Sequence, residues 1–174
     1  MTKNVSIGAI HYEPFGIYSS KIDSLDELQD GATVAVPNNV TNEARALLLL
    51  QQEGVLKLTD DAGITATVAD IVENPLNISF VEADPSQLVN TLPDVDIAVI
   101  NGNYALEGGL SVSKDALAFE ANDGIAAQTY GNIIATLEEN ADNPALLRLV
   151  EVLKSDEIKE FINSTYDGAV VPLD

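Results

Sequence analysis

Two short runs rich in valine, isoleucine and alanine, Ala32 to Val36 and Asp96 to Ile100, are each followed by an asparagine-bearing turn and then by helix-favouring residues. Short apolar runs bounded by turn residues read as buried strands. A buried strand that feeds a helix before the next buried strand implies crossover connections. The pattern therefore predicts an α/β fold with a mostly parallel sheet. Gly31 and Pro37 bound the first run, Thr41 is the expected N-cap, and the helix continues from Glu43 to Gln52 before Gly54 closes it.

The remaining elements follow the same grammar. Val5 to Ser19 reads as extended chain broken at Glu13-Pro14, and Ser24 to Leu28 as a short helix with Glu27 completing a capping box. Glu73-Asn74-Pro75 forbids a continuous element between Thr65 to Val72 and the strand Ile78 to Val81. Pro85 to Leu92 is a short helix started by proline, and a brief helical piece ends at Leu106. Ala116 to Phe119 and Asn132 to Leu137 are strand candidates, with the loop-like Asn122-Asp123-Gly124 between them. Two amphipathic helices, Pro144 to Leu153 and Asp156 to Tyr166, close the chain.

The 174 residues suit one domain or two small lobes, and 46% hydrophobic content is enough for a core. Eight Lys and Arg against 28 Asp and Glu give a formal charge of -20, which repels nucleic acid and anionic membrane surfaces. With no cysteine, disulfides, thiolate metal sites and a cysteine nucleophile are excluded. No run approaches the ~20 apolar residues of a membrane span, and the first residues lack the apolar core of an export signal.

Catalytic and cofactor signatures are missing. The sequence has no nucleophile elbow, Walker loop or dinucleotide fingerprint. Its one histidine, His11, has no second metal ligand or acid-base partner in view, so a structural role is expected. The adjacent carboxylates Asp60-Asp61 and Glu138-Glu139 read as solvated turns, since sequence neighbours do not face each other across a substrate. No enzyme, metal or cofactor is expected.

Polar groups concentrate instead in the turns after strands, Asn38 to Asn42 and Asn101 to Tyr104. In open α/β sheets ligands sit at those carboxyl-end turns. Of the two arginines, Arg148 reads as a surface position, whereas Arg45 falls in the first turn of its helix, where backbone N–H groups already favour an anion. Its fork could hold a carboxylate by two parallel hydrogen bonds. A surface arginine paired with Glu43 or another acid accounts for the residue equally well.

Several stretches in order resemble the methionine-binding lipoproteins of bacterial ABC importers, the NlpA/MetQ family. They are His11 to Ser19, Ser24 to Leu28 with Asp30 to Ala32, Val36 to Asn38 with Thr41, Asn42 and Arg45 to Leu50, Asp70 to Pro75, Ala98 to Asn101 with Asn103 to Ala105, Lys114 to Ala116 and Ser155 to Glu157. Asn39-Val40 stands where many members have Asp-Pro, and Gln128-Thr129-Tyr130-Gly131-Asn132 replaces a Ser-Pro-Tyr-x-Asn pattern.

The resemblance implies a type II periplasmic-binding-protein architecture, two α/β lobes closing over an amino acid. It makes Arg45 the group that takes the ligand carboxylate, and Asn101 and Asn132 the head-group asparagines. It implies a methionine or related amino-acid ligand, a permease and ATPase as partners, no cofactor, and a lipid-anchored or periplasmic place in the cell envelope. Family members carry an export signal, a lipidated cysteine and several βα units before the position matching residue 9. On that comparison residues 15–119 are a nearly complete second lobe, while 1–14 and 120–174 are crossing segments and part of an incomplete first lobe. Such a chain is expected to bind methionine weakly or not at all, and to pair with another copy through an open sheet edge. The alternative function is thus a truncated, non-binding interaction or self-assembly module. Arg45→Ala is expected to abolish binding and spare the fold, because a helix start is not core.

Overall fold

The computed structural model describes residues 2–120 and 129–174. The loop read at Asn122-Asp123-Gly124 lies outside the described residues, as does Gln128. The strands are β1 (Asn4–Tyr12), β2 (Gly16–Tyr18), β3 (Thr33–Pro37), β4 (Lys57–Leu58), β5 (Ile71–Glu73), β6 (Ser79–Ala83), β7 (Ile97–Ile100), β8 (Ala116–Phe119), β9 (Asn132–Leu137) and β10 (Val171–Pro172). The α-helices are α1 (Val40–Gln52), α2 (Leu88–Thr91), α3 (Gly102–Glu107), α4 (Val112–Asp115), α5 (Pro144–Leu153) and α6 (Asp156–Tyr166). Short 3-10 turns at Leu25–Glu27, Val68–Asp70, Pro85–Gln87 and Glu138–Asn140 complete the connections.

The chain divides into two compact units, Phe15–Glu120 and Met1–Pro14 with Ala121–Asp174. The larger unit is built on a five-stranded sheet in the order β6-β3-β7-β2-β8. β3 runs parallel to both β6 and β7, as the alternation of strands and helices predicts. β2 is the exception, antiparallel to β7 and to β8. It enters the sheet directly from the preceding chain rather than from a crossover helix, so nothing in its own three residues dictates its direction.

Alternation along the strands sends residues to two cores. Ile17, Val34, Val36, Ile97 and Val99 pack with Ala44, Leu47 and Leu50 of α1, while Tyr18, Ala35, Ala98 and Ile100 pack with Leu88 of α2 and Ala105 of α3. Tyr18 lies close against Gly16, where a Cβ would stand 2.7 Å from its ring, so this glycine leaves room for an aromatic side chain two residues along.

Helix α1 starts earlier than Thr41 would suggest. Its N-cap is Asn39, extended at φ -100 and ψ 135, and the helix begins at Val40. Arg45 consequently lies in the second turn rather than the first. The expected first-turn setting beside the free N–H groups of the helix does not hold.

Glu43 is buried, and its carboxylate accepts the Val68 N–H at 3.1 Å. Burial pushes its pKa up; the Val68 hydrogen bond opposes this and the Glu82 carboxylate adds to it. A carboxyl whose folded pKa lies above its unfolded value binds more protons when native, so stability falls as pH rises through that interval. Glu43→Gln should therefore raise Tm at neutral pH, and the gain should vanish in acid, where Glu43 is protonated anyway. Thermal melts of the two proteins across pH would show this, and a variant melting below the wild type at pH 7 contradicts it.

The smaller unit holds a three-stranded antiparallel sheet, β10-β1-β9, with β1 in the centre. Helices α5 and α6 fall where the sequence places them; Asn143 caps α5 by accepting from the Ala145 N–H, and Ser155 holds the N-cap position of α6 without a side-chain capping hydrogen bond. Helix α5 buries none of its residues fully, and Leu147, Leu149 and Val152 are exposed together with Ile133 and Phe161.

Candidate functional site

In the larger unit, β3 and β7 are adjacent parallel strands, and the chain leaves their carboxyl ends at Asn38 and Asn101. β2 begins at Gly16 opposite Ile100 and Phe119, so Phe15 and Glu120 lie at the same end of the sheet. Four segments remote in sequence thereby bring Phe15, Arg45, Asn101 and Glu120 to one edge.

Arg45 is buried, so the surface setting that the sequence left open does not hold, whereas its pairing with another acid does. Its Nε donates to Glu120 Oε1 at 2.7 Å and its Nη2 to Glu120 Oε2 at 2.5 Å. This is a bidentate pair between two buried side chains. Glu120 Oε2 also accepts the Phe15 N–H at 2.8 Å, and the Glu120 N–H donates to the Phe15 carbonyl at 3.0 Å. The Phe15 ring covers the guanidinium with the arginine Cζ 4.1 Å from its centroid, a cation–π contact. Arg45 is thus held in position and plane by Glu120 and Phe15, and its setting is core rather than helix start.

Asn101 is the N-cap residue of α3, but its side chain makes no capping hydrogen bond. Its Oδ1 is buried and has no hydrogen-bond partner among the described residues. A buried acceptor of this kind is costly to leave unmade. The Tyr18 hydroxyl is likewise buried without a partner, and burial, reinforced by the Asp115 carboxylate, raises its pKa well above the usual phenol range. It remains a neutral hydroxyl at any physiological pH.

Asn132 belongs to the smaller unit, at the exposed start of β9, where it faces His11 across the strand pair. His11 Nε2 lies 3.1 Å from Glu13 Oε1. Arg148 is exposed and paired with Glu151 on its own helix. Asp60 and Asp61 sit in an exposed turn, Glu138 and Glu139 in an exposed 3-10 turn. Among the described residues no group of three or more His, Cys, Asp or Glu is arranged to hold a metal ion.

Sequence reasoning missed Glu120 and the role of Phe15. A usable signal existed: Glu120 directly follows the strand candidate Ala116 to Phe119, the same end-of-strand position that singled out Asn101. In a chain with two arginines, an acid there was a natural partner for Arg45.

A family model described as NlpA lipoprotein matches residues 2–173. The chain belongs to the NlpA lipoprotein family. Within it, the D-methionine-binding lipoprotein MetQ of Escherichia coli K12 is 44% identical over 171 residues, covering 97% of this chain and 62% of that protein. Outer membrane lipoprotein 2 of Mannheimia haemolytica is 46% identical over 158 residues, 91% of this chain and 56% of that one. The chain thus spans about three-fifths of the length of these curated relatives. A nutrient binding protein from Burkholderia cenocepacia, solved bound to methionine, superposes with a TM-score of 0.89 at 45% identity, covering 99% of this chain and 71% of that one. A periplasmic substrate-binding protein of an ABC transporter from Coxiella burnetii gives 0.88 at 40% identity over the same shares. This NlpA-family chain therefore has the α/β periplasmic-binding-protein fold that the resemblance implied. Among its described residues no helix is long and apolar enough to cross a membrane.

Proposed function

We propose that this chain is the amino-acid-binding part of a substrate-binding protein, which takes up methionine or a close relative and delivers it to an ABC permease and its ATPase without chemistry. The observation that carries the reading is the buried, unpartnered Asn101 Oδ1 at the same carboxyl end of the sheet as the buried Arg45 fork. An arginine and a lone acceptor match the carboxylate and ammonium of an amino acid. The relatives support the ligand: one is named for D-methionine, and another was solved with methionine bound. The working place is the cell envelope, lipid-anchored at the outer face of the membrane or periplasmic, as the lipoprotein family name suggests.

In this reading Arg45 holds the ligand carboxylate, and Asn101 and Asn132 hold the head group. Asn101→Ala should weaken methionine binding by ~1–3 kcal/mol, the loss of one hydrogen bond in a closed site. The ligand-free protein should be no less stable, because the substitution removes an acceptor that is unsatisfied without ligand. Asn132→Ala should also weaken binding. Calorimetry with methionine, paired with urea denaturation, tests both halves. Wild-type affinity in both variants would show that the amino acid is held elsewhere.

A second reading, a self-assembling module that binds no amino acid, is favoured by one observation: Ile133, Leu147, Leu149, Val152 and Phe161 of the smaller unit are exposed, and β9 is an edge strand. Light scattering and native mass spectrometry separate the two. Monomers that carry stoichiometric methionine support the first, and oligomers empty of ligand support the second.

A further inference from the structure

The guanidinium of Arg45 already has a carboxylate. Both oxygens of Glu120 engage its Nε and Nη2, and Glu120 is held in turn by two backbone hydrogen bonds with Phe15. A ligand that displaced Glu120 would leave a buried carboxylate without its counter-charge, a penalty of roughly a hundred- to thousand-fold in affinity. An incoming carboxylate therefore adds to the pair instead of replacing Glu120. Arg45 and Glu120 together are neutral, so a simple anion would leave one uncompensated negative charge among buried groups. A zwitterion brings its own cation, and the Asn101 Oδ1 is an acceptor still without a donor.

Resting on the reading that Arg45 takes the ligand carboxylate, we propose that Glu120 is the specificity-determining residue of this site. By neutralising Arg45 in advance it admits net-neutral α-amino acids and rejects carboxylic acids that lack the ammonium group. Selectivity for an amino acid thus comes from a charge on the protein that also orients the arginine, as well as from hydrogen bonds to the ligand.

The test compares methionine with its des-amino analogue, 4-(methylthio)butanoate, by NMR titration of the whole chain, which also measures weak binding. The wild type should prefer methionine by about a hundred-fold or more. Glu120→Gln keeps the shape, removes the charge and should shrink that preference by about ten-fold or more, chiefly through tighter binding of the anion. Glu120→Asp, which restores the charge, should restore the preference. A merely structural role for Glu120 would weaken both ligands together and leave their ratio unchanged, and that result overturns the inference. So does a wild type that binds the two ligands equally, a measurement that does not depend on any variant folding. Arg45→Lys separates the levels. If it leaves methionine affinity unchanged, the reading of the Arg45 site fails and the inference with it. If it weakens methionine while Glu120→Gln leaves the ratio alone, only the role of Glu120 falls.

Discussion

Arg45→Ala should abolish amino-acid binding and also destabilise the protein by about 3–5 kcal/mol, because it strands the buried Glu120 carboxylate without its partner. This reverses the expectation from sequence that the fold would be spared. A helix start tolerates truncation, but Arg45 lies in the second turn of α1, buried under the Phe15 ring and bound to Glu120 through two donors. Removing both charges should hurt less than removing one, so Arg45→Ala with Glu120→Ala should recover part of the lost stability. Urea denaturation of the two single variants and the double variant measures the coupling. Additive effects, or an Arg45→Ala protein as stable as the wild type, would mean that the pair is not formed in solution.

Phe15→Ala should produce the other large effect, a loss of about 3–5 kcal/mol, since a fully buried aromatic ring is removed from the core that packs against α1. Phe15→Leu separates the ring's two contributions. Leucine restores most of the buried apolar volume but cannot offer a π-face to Arg45, so what remains lost should be ~0.5–2 kcal/mol from the cation–π contact. Methionine affinity should also fall in Phe15→Leu, because the guanidinium loses the surface that fixes its plane. Equal stability of Phe15→Leu and wild type would show that the ring contributes bulk alone.

Local signals determined much of this molecule. Helices α5 and α6 have the ends that the sequence predicts, Pro144 to Leu153 and Asp156 to Tyr166, since apolar residues at helical spacing, and in α5 a proline at the start, act within a few residues. The break at Pro14 and the strands around Val34 and Val99 were equally legible, because a proline constrains its neighbour and a run of four or five valine-rich residues between turn residues is too short for a helix and favours a strand. The carboxyl-end turns, and with them Asn101, followed from the α/β pattern together with the family resemblance.

Other features depend on contacts between residues far apart in the chain. Helix α1 begins at Val40, with Asn39 at the N-cap position and no side-chain capping hydrogen bond, so Thr41 is already inside the helix. The antiparallel direction of β2 is set by its neighbours β7 and β8, not by Gly16, Ile17 or Tyr18. From sequence, Arg45 could equally have been a solvated surface residue or an anion site. Burial under Phe15 and pairing with Glu120, 75 positions away, exclude the solvated setting. An arginine's neighbours in sequence show what it could pair with nearby, but its charge reaches through space, and only the packed sheet brings the ends of β2, β8 and α1 close enough to determine which carboxylate it meets.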